Sequence, residues 1–296
     1  GLTMLDHKIQ NQAVLVAVTI TKWSNAKTDQ DITQEVSLNK NAQDGMIRVR
    51  KSLIKSAVVK ALSRIAGQIR NNVVNELTIP WGNGVRLLPV ELLDQFEREF
   101  EQHQDRWDEN LRELGREYES SVSQAAKVLG DAFKASDYPS KDEILAKYSL
   151  SKKIMPLPDA NDLRVALPQA KLDSMKADIE ADITSSLEGA MQKVHERVAE
   201  TLAHLIDKLS DFGVDAKTGK ATGVFRDSTV TNLTELAGIL PSLNLTGDPK
   251  LTEVSNALLT QLRDLDPDKI RNSESHRKDV VSKAKDVADK LSGFFD

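Results

Sequence analysis

Residues 168–212 read PQAKLDSMKADIEADITSSLEGAMQKVHERVAETLAHLIDKLSDF, and the spacing of their apolar side chains decides the class of the fold. Leu172, Met175, Ile179, Ile183, Leu187, Met191, Val194, Val198, Leu202, Leu205 and Leu209 recur at steps of three and four, which puts them on one face of a helix. No proline interrupts the run after Pro168. A helix of about 45 residues extends on the order of 65 Å at 1.5 Å per residue, beyond ordinary globular length.

A second stretch has the same character. From Pro89 to Ala135 the stripe is Leu93, Phe96, Phe100, Trp107, Leu111, Leu114, Tyr118, Val122, Ala125, Leu129 and Phe133, with His103 near its gap. Two long amphipathic helices joined by a connector predict an antiparallel, coiled-coil-like hairpin. The steps drift between three and four without clean heptads, so the expected supercoil is irregular. The connector, 136–167, holds Tyr138-Pro139-Ser140, a short helix over 141–148 and the extended Pro156-Leu157-Pro158, and is expected to cap the hairpin tip.

Outward from the hairpin, the signals are shorter. Gln12–Thr21 (QAVLVAVTIT) is β-branched, of strand length and apolar on both faces at its centre. A second strand is expected over Ile32–Leu38, giving a small N-terminal β-ribbon. Over Met46–Asn75, Leu53, Val58, Leu62, Ile65, Ile69 and Val73 return to helical spacing. Pro80-Trp81-Gly82-Asn83-Gly84 stops that helix. Past Phe212, a Gly/Lys-rich loop over 213–223 leads to short helices over 228–239, 249–265 and 267–291. Asp227-Ser228, Asp248-Pro249 and Asp266-Pro267 read as their caps. The expected division is a cloning scar at 1–3, ribbon and basic helix over 4–87, hairpin over 88–212, and helical C-terminal region over 213–296. The fold class is mainly α and elongated.

The composition removes several chemistries. The 296 residues include no Cys, which excludes disulfides, thiolate metal sites and Cys nucleophiles and agrees with a reducing cytosol. No apolar run is long enough to span a bilayer, so no membrane partner is expected. The net charge of −5 argues against a general polyanion binder, but charge is unevenly placed. Residues 46–75 carry Arg48, Arg50, Lys51, Lys55, Lys60, Arg64 and Arg70 with no acid, whereas 91–119 carry eleven acids against four arginines. Either the two stretches pack together and their fields cancel, or the basic one faces nucleic-acid phosphates.

No catalytic, cofactor or metal site emerges. The loop Gly213-Val214-Asp215-Ala216-Lys217-Thr218-Gly219-Lys220-Ala221 has five residues between its glycines and Ala where a phosphate loop needs a hydroxyl. Ser-x-x-Lys occurs three times without companion motifs. No two of the five histidines share a helix face at metal-ligand spacing. His103 and Trp107 read as core, and Trp81 either anchors the basic helix or serves as a protein-binding hot spot.

Several short segments together resemble an uncharacterised family of helical proteins from tailed phages and prophages. They are Val18-Thr19-Ile20-Thr21-Lys22-Trp23, Pro80-Trp81 with Leu87-Leu88-Pro89, Leu129-Gly130 leading to Asp137-Tyr138-Pro139-Ser140, Pro156-Leu157-Pro158 before Leu163-Arg164-Val165, and Phe225-Arg226-Asp227-Ser228 with Asn232-Leu233. The resemblance implies a protein of the bacterial host cytoplasm that acts with phage or host proteins, and it carries over no residue role. The expected function is a non-enzymatic binding or scaffold protein that presents helical surfaces to protein partners. Self-association is expected because two such stripes exceed one mutual seam. The alternatives are a nucleic-acid-binding protein using 46–75 and an enzyme with an unrecognised site.

Overall fold

The computed structural model describes residues 8–292, so the expected scar at 1–3 lies outside the described residues. In chain order they form α1 (Ile9–Gln12), β1 (Ala13–Thr21), β2 (Ala26–Thr28), α2 (Gln30–Asn39), β3 (Arg50–Ser52), α3 (Ala57–Gln68) and α4 (Asn75–Leu77). Then come β4 (Ile79–Gly82), β5 (Val85–Pro89), α5 (Leu93–Leu129), α6 (Lys141–Ala146), β6 (Ser149–Pro156) and α7 (Gln169–Asp211). The chain ends in β7 (Gly213–Val214), β8 (Ala221–Thr222), α8 (Asp227–Leu243), α9 (Pro249–Gln261), α10 (Pro267–Asn272) and α11 (Glu274–Ser292). The protein is mainly helical, as expected, with a small sheet region near the N-terminus.

The chain divides into two compact units. One holds residues 8–17, 75–94 and 154–292 and contains α7; the other holds 18–74 and 95–153 and contains nearly all of α5. This division departs from the expected consecutive regions. The two long helices, anticipated as the arms of one hairpin, belong to different units, and the connector at 136–167 is shared between them.

In the α7 unit, α7 packs on α11, α8 and β4, and α9 lies against α8 and α11. Leu187, Met191, Val194, Val198, Leu202, Leu205 and Leu209 are buried there. N-terminal to Leu187 the same stripe is only half-buried. Asp248 and Asp266 cap α9 and α10, accepting from the backbone N–H of Lys250 and Asp268 with Pro at the first turn. Asp227 does not cap α8; its carboxylate pairs with Arg271 instead. β4 and β5 form a hairpin across Asn83 and Gly84, both at positive φ, the turn that Asn-Gly favours. β1 adds to β5 antiparallel, Ala13 opposite Pro89. The strand order β4-β5-β1-β6 makes four strands where a ribbon was expected. β5 is short and ends at Pro89, and β6 over Ser149–Pro156 lacks the β-branched run that marks β1.

In the α5 unit, Phe96, Phe100, Trp107, Leu114 and Tyr118 line one face of α5 and are almost wholly buried. Tyr118 stacks edge-on to Trp23 and donates to the Pro139 carbonyl at 2.6 Å; Trp107 meets the Tyr148 ring edge-on. α5 ends at Gly130, whose positive φ suits a helix stop. Residues 32–38 are helical, not a strand: Asp29 accepts from the Ile32 N–H at 3.0 Å and starts α2. The ribbon in this unit is β2 with β3, Lys27 opposite Lys51. The helix expected from Met46 begins only at Ala57, where the Ser56 hydroxyl accepts from Val59 N–H. It passes into a π-turn over Ile69–Val74 before α4.

Candidate functional site

The site is a groove of about 510 Å³ in the α7 unit. One wall is a single face of α7, on which Glu180, Ile183, Thr184, Leu187, Glu188, Met191 and His195 follow one another at helical steps. The facing wall comes from the start of α1 (Lys8 to Gln10), the 3-10 turn at Ala160–Asp162 with its cap Asp159, and the α8–α9 connection at Thr246 and Asp248.

Local interactions hold the facing wall. Gln10 donates to the Pro158 carbonyl at 3.0 Å, and Lys8 lies 3.7 Å from the Asp159 carboxylate. Asp159 accepts from Asn161 N–H, which closes the turn. In the α8–α9 connection, Asn244 and Asp248 exchange two hydrogen bonds, Asp248 N–H to the Asn244 side-chain oxygen and Asn244 Nδ2 to the Asp248 carbonyl. Gly247 supplies the positive φ that this reversal needs. The Asp248 carboxylate is thereby fixed, one oxygen on Lys250 N–H and the other 3.6 Å from His195 Nε2.

The groove has an apolar floor and an acidic rim. Ile9, Ile183, Leu187 and Met191 supply the floor. Asp159, Glu180, Glu188 and Asp248 set four carboxylates around it against the single Lys8. Over Gln169–Gln192, α7 carries five acids and two lysines. His195 is almost fully buried, and that burial lowers its pKa; the nearby Asp248 carboxylate offsets part of the shift. The imidazole is therefore neutral at pH 7 and adds no positive charge to the groove.

The basic residues singled out at 46–75 have different fates. Lys51 is not on a helix and does not face solvent. Its side chain is 8 % exposed, and the ammonium sits 2.8 Å from Asp137 and 3.2 Å from Asp29 and donates to the Ala132 carbonyl at 2.7 Å. Its pKa is raised, first by the hydrogen bond to Asp137, and it is a structural cation rather than a phosphate contact. Arg70 lies in the π-turn and donates to the Ile20 carbonyl. Arg48 and Lys55 are on loops and Arg50 is on β3; only Lys60 and Arg64 share an exposed helix face. α3 does run beside the acidic α5, with Ser56 bonded to Glu117 and Arg106 to Gln68. Yet among the described residues Lys55, Lys60 and Arg64 form no ion pair, so the expected neutralisation is not made through direct pairs. Trp81 is half-buried on β4, an edge strand whose Pro80 needs no ladder partner.

The approach of His195 to Asp248 joins residues 53 apart in sequence. Asp248 was legible as a cap, but nothing in the spacing of His195 and Asp248 brings them together. Among the described residues no cluster of metal-ligating side chains occurs, and no helix is long and apolar enough to cross a membrane. The chain matches no family model, no curated protein and no solved structure.

Proposed function

We propose that this chain is a non-enzymatic binding protein whose α7 groove takes a basic, amphipathic segment of a protein partner. The observation that carries the reading is the pairing of an apolar floor with a rim of four carboxylates and one lysine on a rigid helix. An amphipathic segment would bury its apolar side chains on Ile183 and Met191 and place its lysines or arginines against Glu180 and Glu188. The same negative field disfavours a second copy of the acidic α7 face, and it disfavours nucleic acid here. In the setting suggested by the phage-like segments, the partner would be a phage or host protein in the bacterial cytoplasm.

The test is a titration of the full chain with a short leucine–lysine amphipathic peptide, followed by fluorescence anisotropy. Saturable binding that weakens with salt and falls about tenfold or more in the Glu180→Lys, Glu188→Lys double variant supports the reading. Equal binding by the wild type and the double variant overturns it.

Nucleic-acid binding through the α5 unit is the second reading. It rests on Lys60 and Arg64, which are exposed and without ion pairs among the described residues. A gel shift titrated with salt tests it. Loss of DNA retention in a Lys55→Glu, Lys60→Glu, Arg64→Glu variant supports it, and unchanged retention removes it.

A further inference from the structure

A second cavity, about 310 Å³, opens in the α7 unit between β4, β5 and a different face of α7. Its chemistry is opposite to that of the groove. Arg86 on β5 reaches past Pro80, its neighbour on β4, to Thr78: Nε donates to the Thr78 hydroxyl at 2.8 Å and one Nη to the Thr78 carbonyl at 3.2 Å. Thr78 is buried, so the guanidinium is held at its root by a fixed partner. Arg86 is half-buried, and among the described residues it pairs with no carboxylate. Arg197 on α7 lines the same cavity, but its charge is matched by Glu76 at 3.1 Å, with further bonds to the Asn75 and Glu76 carbonyls. Lys193 is likewise matched by Glu196 at 3.0 Å. Glu200 is exposed on the rim and ion-pairs with neither arginine.

The inner wall of the cavity therefore holds one guanidinium without a carboxylate partner, while the carboxylate of Glu200 stands on the rim. A half-buried charge without a counterion is costly, and a guanidinium with free N–H groups is shaped for a carboxylate. Burial and the neighbouring Arg197 both lower the Arg86 pKa, the direction expected of a cation short of negative charge. Ile79, Pro80, Val194 and Leu243 contribute apolar surface beside it.

We propose that this cavity binds a carboxylate carried on a short aliphatic stem, with Arg86 as the residue that engages it. A single unpaired guanidinium, with Glu200 on the rim, favours a monoanion over a phosphate dianion. The carboxylate could come from a free organic acid or from the C-terminus of a polypeptide, which share this chemistry.

The experiment is a calorimetric titration of the full chain with hexanoate at constant ionic strength, with hexylammonium as the control. Saturable hexanoate binding is expected, with no heat of binding from hexylammonium. Arg86→Gln should weaken binding about tenfold or more, the loss of a charge-assisted bidentate contact, and circular dichroism checks that the variant is folded. Arg86→Lys keeps the charge but not the fork, and should weaken it by a smaller factor. If Arg86→Gln does not fold, Arg86→Lys decides alone. A peptide ending in Ala-Leu is then compared with hexanoate. Tighter binding of its free-acid form than of its amide and of hexanoate assigns the site to chain termini, and the reverse assigns it to free acids. No saturable hexanoate binding in the wild type, or equal affinity in wild type and folded variants, overturns the proposal.

Discussion

The two long helices carry nearly the same pattern of apolar residues and end up differently. α5 buries its aromatic face from Phe96 to Tyr118 within its own unit, where Tyr118 meets Trp23 and Pro139 and Trp107 meets Tyr148. α7 is covered on its C-terminal half by α8 and α11, while its N-terminal half keeps Leu172, Met175, Ile179 and Ile183 half-buried beside a row of carboxylates. The difference teaches that stripe residue type matters as much as spacing. Large aromatic side chains reach out to isolated partners such as Pro139 and Tyr148, and so recruit loops into a core. The aliphatic stripe on α7 needs a second regular element to cover it. Where none is supplied, a groove results.

The largest expected effect sharpens that contrast. Trp107→Ala should destabilise the α5 unit by about 3–5 kcal/mol, whereas Ile179→Ala on α7 should cost less than about 1 kcal/mol. Urea denaturation followed by circular dichroism measures both, and equal costs would mean that the outer half of α7 is core after all.

Next comes Lys51→Met. Asp29 and Asp137 keep their buried carboxylates but lose the ammonium they share, so thermal unfolding of the α5 unit should move down by several degrees. Lys60→Met, on the exposed face of α3, should leave it unchanged. Differential scanning fluorimetry separates the two.

The smallest effect is in pH dependence, and the pH at which acid begins to act differs between the units. The Ile32 N–H and then Lys51 hold Asp29 below the ordinary carboxylate value of 3.8, and Lys51 with Lys27 does the same for Asp137. Their contribution is therefore present at and above that value and is lost as pH falls below it. Lys51 is raised, so its contribution is lost only in strong base. Burial pushes Tyr148 up to about 12, so the α5 unit also weakens above pH 10, where the unfolded phenol ionises. His195 acts earlier. Its pKa is lowered from 6.5, so the unfolded chain takes up a proton that the folded chain refuses, and the α7 unit loses stability as pH drops below 6.5. Trp23 and Trp107 both lie in the α5 unit, with Trp81 alone in the other. Between pH 6.5 and 5, the unfolding midpoint read by circular dichroism should fall more than the midpoint read by tryptophan fluorescence.

Much of this was legible in the sequence. The long helices, the β1 strand, the Asn83-Gly84 turn and the Asp248 and Asp266 caps follow from periodicity, β-branching and side-chain hydrogen bonding near the backbone. The pairing of the long helices was expected from their patterns alone, and a pattern does not name its partner. α2 looked like a strand because Ile32 and Val36 are few and flanked by polar residues; the Asp29 cap was the overlooked signal. Of the candidate basic surface, Lys51 could not be separated from Lys55 by sequence, since only tertiary contacts bring Asp29 and Asp137 to it. The groove was invisible for the same reason: its rim is assembled from four separate parts of the chain.

The central claim is that the N-terminal half of α7 is a receptor surface and not an uncovered piece of core. Hydrogen–deuterium exchange on the full chain, with and without a saturating leucine–lysine peptide, tests it most directly. The account predicts slowed exchange over 179–195 and around 246–248, with 96–118 unchanged. Protection confined to the α5 unit, or none along α7, would contradict it.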